Sequence, residues 1–178
     1  MVRAALLSLA LACALAPIGA AAEPSRVDYA GFAVLARDLA PVREAHLVTL
    51  DRFWEMAREG DTLILDARSA DAFARGHIEG AVNLPLTDFT AASLAAVIGR
   101  VDRPILIYCN NNFTNNVDPV PTKMIRLALN VQTFVNLHGY GYENVWELSE
   151  AVDFTEARVR WVASPALQAR NPAPPVRG

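Results

Sequence analysis

Cys109 closes the apolar run "PILIYC" and is followed by "NNNFTNN", three asparagines, a Phe-Thr pair and two more asparagines. A cysteine at the end of a buried strand acts as a nucleophile when its thiolate is stabilised. The segment after it is rich in amides and poor in charge. The stabilisation on offer is therefore a nest of backbone N–H groups turned inward, which binds anions. A following helix aimed at the loop adds the positive end of its dipole. Both effects lower a thiol pKa, so these residue types predict an activated cysteine without a dedicated base. The same position also suits an inert, buried cysteine that caps a strand. No set of His, Cys, Asp or Glu side chains, His46 and His138 included, has metal-ligand spacing, and neither a metal nor an organic cofactor is expected.

The cysteine count sharpens the question. "MVRAALLSLALACALAPIGAAAE" carries one basic residue, an apolar run broken by Pro17 and Gly19, and small residues at Ala20–Ala22. This is the layout of a secretory signal, residues 1–22, too short for a comfortable membrane span. Cys13 raises lipidation as an alternative, but Ala10 stands where a lipoprotein signal has Leu. The expectation is an exported protein, periplasmic in a Gram-negative host, with no stable membrane insertion after cleavage. Cleavage would remove Cys13 and leave Cys109 alone. A lone thiol in an oxidising compartment makes no internal disulfide and is buried, paired with another molecule, or used.

The chain has 178 residues, 53% of them apolar, and a net charge of -3. That suits one globular domain with a real core. No basic patch is dense enough to hold nucleic acid by its phosphates. Along the chain, residues 23–45 read as an N-terminal extension with a short helix, "DYAGFAVLARDLAP", ended by Pro41. "HLVTL" is β-rich. "DRFWEMAREG" is helical, with Phe53, Met56 and Ala57 on one face and Gly60 as the stop. "TLILDA", "PILIYC" and "NVWEL" are strands, the first two continuous apolar runs that suit burial on both faces. "SADAFARGHIEGAVNLPL" combines a short helix and a loop, and "FTAASLAAVIG" is another helix. Residues 122–139 form the longest helix, with Met124, Leu127, Ala128, Val131, Phe134 and Val135 as its apolar stripe. Strands alternating with amphipathic helices predict an α/β fold: a central parallel sheet with helices on both faces. Residues 46–150 hold this domain. Residues 151–163 read as an edge strand or a packed extension, and the tail from Ser164 as Pro-rich and disordered.

Four pieces in order resemble the rhodanese-like family. "LILDARSADAFARGHIEGAVNLPL" is similar to its N-terminal signature, a strand ending in Asp-x-Arg followed by Gly-His-Ile-x-Gly-Ala-x-Asn-x-Pro. "ILIYC" resembles the strand that delivers the catalytic cysteine; a helix ending in Gly-Tyr and the strand in "YENVWEL" follow. The resemblance implies a sulfurtransferase or persulfide carrier in which Cys109 accepts sulfur from thiosulfate, a persulfide or a polysulfide and passes it to a thiol or to cyanide. It implies a cradle from the amides of Asn110, Asn111, Asn112, Phe113 and Thr114. Asp66, Arg68 and His77 match the signature and read as structural support for the site.

The active loop departs from that family. Where a cation is usual five residues after the cysteine stands Thr114. The six-residue position of the phosphatase relatives, an Arg there, is Asn115, and Tyr108 replaces their His before the cysteine. A phosphate ester would lack its bidentate clamp, which disfavours phosphatase chemistry. Twelve residues separate Cys109 from Thr122, so part of the loop is an excursion, stiffened at 117–121 by Pro119 and Pro121. Lys123 and Arg126 are candidate substitutes for the missing cation, or plain surface charges. The asparagines read either as turn formers or as neutral donors in place of the cation. Phe113 reads as a pocket wall or a core anchor. "NFT" also fits an N-glycosylation acceptor, which in such a bacterial-looking chain carries little weight. A second function class stays open: a binding or redox-sensing module, with a protein partner or small anion recognised through the Asn-rich loop.

Overall fold

The computed structural model describes residues 25–164. The signal segment at 1–22 and the tail beyond Ser164 lie outside the described residues. In chain order the elements are α1 (Tyr29–Ala45), β1 (Leu47–Val48), α2 (Leu50–Arg58), β2 (Leu63–Asp66), α3 (Ala70–Arg75), β3 (Gly76–Ile78), β4 (Val82–Asn83), α4 (Ala91–Ile98), β5 (Ile105–Tyr108), α5 (Leu129–Gly139), β6 (Val145–Leu148) and β7 (Trp161–Ala163). Five strands form one parallel sheet in the order β1-β6-β5-β2-β4. β3 and β7 pair antiparallel as a separate ribbon.

The alternation of side chains along β2 and β5 explains the two layers. Ile64, Leu106 and Tyr108 face one side and pack with Leu50, Phe53, Trp54 and Met56 of α2. Leu63, Leu65, Ile105 and Ile107 face the other and pack with Leu94 and Ile98 of α4 and Phe134 and Leu137 of α5. All eight positions of β2 and β5 are buried, as their continuous apolar runs require. Each fully buried Leu, Ile or Phe contributes roughly 1.5–3 kcal/mol. This is the expected α/β architecture with helices on both faces.

Three expectations are corrected. Pro41 lies inside α1 and does not end it. A proline forfeits one backbone bond, but the turn beyond it is held from outside, because Arg43 Nε and Nη2 donate to Glu147 Oε2 and Oε1 of β6, both at 2.6 Å. The segment after α3, read as loop, contains β3 and β4. The helix expected at 122–139 begins at Leu129 and is shorter than α1, because loop side chains capture the backbone before it: Asn116 Oδ1 accepts from Thr122 N–H and Asn111 Oδ1 from Lys123 N–H, both at 2.9 Å. Met124, Ile125 and Leu127 are consequently exposed and form no stripe. Residues 161–163, left undecided between strand and extension, are β7.

Candidate active site

β5 ends at Tyr108, and Cys109 follows it at the carboxyl edge of the sheet, where open α/β sheets bind ligands. The sulfur is met from two directions. Asn111 N–H approaches from the short 3-10 turn Asn110–Asn112, and Leu129 and Asn130 N–H approach from the first turn of α5. Ala128, at the N-cap of α5, has no side chain to satisfy those donors, so the cysteine takes the acceptor's place. The cradle thus differs from the one expected at 110–114. The N–H groups of Phe113 and Thr114 donate to the carbonyls of Asn110 and Val152 at 3.1 and 2.9 Å, and that of Asn112 is shared between the carbonyl of Cys109, at 3.0 Å, and the Cys109 side chain. The N-terminus of α5, whose sequence carries no signal beyond the missing cap, supplies the other donors.

The expectation of a depressed thiol pKa also fails. Cys109 is 1% exposed. Burial pushes its thiol above the ordinary range, the amides of Asn130, Asn111 and Leu129 pull it back in part, and the negative charge of Glu147 adds to the rise. Desolvation outweighs the cradle.

The asparagines have a structural answer. Asn112 Oδ1 accepts from Cys109 N–H and from Asn130 Nδ2, both at 2.9 Å, while its Nδ2 donates to the carbonyls of Leu148 at 2.7 Å and Glu150 at 3.1 Å. Asn110 Nδ2 donates to Pro121 O at 3.0 Å. Asn111 exchanges two bonds with the Lys123 backbone. Asn115 Nδ2 donates to Asp153 Oδ1 at 2.7 Å, and its Oδ1 accepts from Phe154 N–H at 3.0 Å. Asn116 adopts the left-handed backbone, φ 47°, that asparagine tolerates. A carboxylate accepts only and an ammonium donates only; an amide does both from one side chain, which is what stitching two stretches of irregular backbone demands. Phe113 is an anchor: it is 2% exposed, with its ring 5.0 Å from that of Trp161 and 6.0 Å from that of Tyr108.

Asp66 and Arg68 form a buried pair. Arg68 Nη2 donates to Asp66 Oδ2 at 2.6 Å and to Gly76 O at 2.7 Å, and Tyr108 Oη donates to Asp66 Oδ2 at 2.6 Å. Burial opposes the Arg68 charge, but the hydrogen bonds and charge of Asp66 prevail and hold it above its ordinary range. Burial pushes the Tyr108 hydroxyl well up. His77 lies apart, stacked on Phe73 at 3.9 Å between ring centroids, its Nδ1 2.9 Å from Phe73 O.

A cleft of about 510 Å³ opens beside Cys109. α3 supplies one wall through Ala72 and Arg75; the excursion and the approach to α5 supply the other through Pro119, Pro121, Lys123, Met124 and Leu127. Sequence reading missed Arg75, which lies 34 positions before the cysteine and is brought here by the β2–α3 crossover. Arg75 pairs with Asp118 and Asp71. Of the two candidate cations, Lys123 lines the cleft and its ammonium has no ion-pair partner among the described residues; Arg126 is exposed and is not part of the lining.

The model of the Rhodanese-like domain matches residues 49–153, more than half of the chain. The chain belongs to the rhodanese-like domain family. Among solved structures, the rhodanese-like domain of the Alr3790 protein from Anabaena sp. is similar at 19% identity, covering 75% of this chain and 89% of that one with a TM-score of 0.50. A second structure of that protein shows 18% identity over 69% and 85%, with a TM-score of 0.48. EanB, in a form with ergothioneine covalently linked to a cysteine persulfide, matches at 23% identity over 57% of this chain and 23% of its own, with a TM-score of 0.42. No curated protein sequence matches the chain. The matched residues contain the four sequence pieces, which are here β2 to β4, β5, α5 and β6.

Proposed function

We propose that the protein carries sulfane sulfur on Cys109 as an exported sulfurtransferase or persulfide carrier. One observation supports this most directly: in a rhodanese-like domain, a thiol at the end of β5 faces three backbone amides and borders an open cleft. In the first step the Cys109 thiolate attacks the sulfane sulfur of a donor. The donor S–S bond breaks, a new S–S bond forms at Cys109, and the donor leaves as a thiolate or, from thiosulfate, as sulfite. In the second step an acceptor thiolate attacks the outer sulfur and releases the Cys109 thiolate. Oxidation states balance across both steps without a redox partner. The amides of Asn111, Leu129 and Asn130 stabilise negative charge on sulfur as it forms.

Intact mass of the mature protein, before and after inorganic polysulfide, tests the reading. Gain of one sulfur atom in wild type but not in Cys109→Ser, reversed by cyanide or a thiol, is the expected result. No gain would instead favour a binding or redox-sensing module, the reading that the burial of Cys109 favours. The export segment is tested by cell fractionation with N-terminal sequencing of the mature chain: cleavage after Ala22 and a periplasmic pool are expected.

A further inference from the structure

The cleft beside Cys109 has two properties that a compact, doubly charged donor such as thiosulfate does not use. Its wall is apolar over Ala72, Pro119, Pro121, Met124 and Leu127. Its cations are mostly engaged: Arg68 by Asp66, Arg75 by Asp71 and Asp118. The N–H groups of Phe113 and Thr114, which would face sulfonate oxygens, donate to backbone carbonyls. Polar recognition of a small dianion is therefore thin, whereas 510 Å³ is within the range of pockets that hold small organic ligands.

The lining also has a direction. Leu127 and Met124 are 60% and 69% exposed beside the cleft, and large apolar side chains left in water next to a reactive residue are surface that a ligand can cover. Lys123 stands beside them, its ammonium without an ion-pair partner among the described residues. Its backbone is clamped by the two bonds to Asn111, so the point of attachment of that charge is fixed. We infer that the substrate is an organic persulfide with an apolar body and a terminal carboxylate, its chain against Met124 and Leu127 and its carboxylate on Lys123. The inference rests on the sulfur-carrier reading above and assigns the donor class to it. The reaction is R–S–S⁻ + Cys109–SH → R–S⁻ + Cys109–S–SH. The Cys109 proton passes to solvent and returns to the product persulfide. The donor S–S bond breaks as the new one forms, and R–S⁻ leaves.

The test is the rate at which Cys109 gains sulfur, read by intact mass, for five donors: inorganic polysulfide, thiosulfate, and the persulfides of mercaptoacetate, mercaptohexanoate and mercaptohexanol. Mercaptohexanoate persulfide should outpace mercaptoacetate persulfide by about tenfold or more, since each buried CH₂ is worth about 0.8 kcal/mol. It should exceed the alcohol about threefold, the scale of a partly exposed ion pair. Lys123→Gln should abolish the carboxylate-over-alcohol preference and keep the chain-length preference. Leu127→Ser should weaken the chain-length preference and keep the carboxylate preference. This separation cannot arise from misfolding, which would lower every rate together. If polysulfide labels Cys109 but neither chain length nor carboxylate matters, or thiosulfate is as fast as mercaptohexanoate persulfide, the donor class is wrong and the sulfur-carrier reading stands. If no donor labels Cys109, both fall.

Discussion

Asn112 Oδ1 holds Cys109 N–H and Asn130 Nδ2 at once, each at 2.9 Å, so one carbonyl oxygen fixes both the strand end and the helix start that meet at the sulfur. The same side chain reaches the Leu148 carbonyl at the end of β6 through its Nδ2. Asn112→Ala would leave the buried Cys109 N–H and Leu148 carbonyl without these partners, at about 1–3 kcal/mol for each unsatisfied group. We expect urea unfolding to show a loss of about 2–4 kcal/mol on that basis. An Asn112→Ala protein within about 0.5 kcal/mol of wild type, the range of ordinary surface changes, would show that the hub is dispensable.

The Asp66–Arg68 pair predicts a marked non-additivity. Arg68→Met leaves Asp66, 0% exposed, without its cation. Breaking a buried pair from one side costs about 3–5 kcal/mol. Asp66→Asn in the Arg68→Met background removes the stranded charge and should recover a large part of the loss. Chemical denaturation of the two variants checks this. A double variant no more stable than Arg68→Met would contradict it.

Gly76 is required by the indole of Trp161. A Cβ at Gly76 would lie 2.6 Å from Cζ2 and 2.7 Å from Cε2 and Nε1 of that ring, closer than such contacts allow. Gly76→Ala should destabilise by about 1–3 kcal/mol through overpacking. The defect should shrink in a Trp161→Leu background, which removes the clash. A tryptophan fluorescence melt of both reads the difference; equal defects in both backgrounds would mean that the ring is not the obstacle.

Burial of Cys109 sets a pH signature. Its thiol is held above the ordinary range by desolvation, against the pull of the amides at Asn130, Asn111 and Leu129. Alkylation by iodoacetamide under native conditions should therefore rise with a midpoint above that of a free thiol in a peptide. Stability should move the opposite way. Between the unfolded and folded pKa values the folded chain binds more protons than the unfolded one, so stability falls as pH rises through that window. Cys109→Ser removes both effects. A midpoint at or below the peptide's would place the thiolate in the resting site.

The amino-acid sequence by itself determined the parts of this protein that depend on local pattern. The apolar runs at 62–67 and 104–109 are strands because a parallel sheet buries both faces of its members, and their side chains divide between two cores as alternation requires. The placement of Cys109 at the strand end, the Asp-x-Arg signature and the alternation of strands with helices were legible for the same reason. The tertiary structure decided what depends on partners distant in sequence. Residues 122–128 have helical composition, yet Asn111 and Asn116 bind their backbone and delay the helix to Leu129. Pro41 stays inside a helix because Arg43 finds Glu147, 104 positions away. The cradle combines Asn111 with Leu129 and Asn130, and Arg75 and Lys123 face one cleft only because α3 and the approach to α5 converge on the end of β5. The direction in which the Cys109 thiol shifts follows from burial weighed against those amides, a balance of desolvation and hydrogen bonding that no spacing of residues encodes.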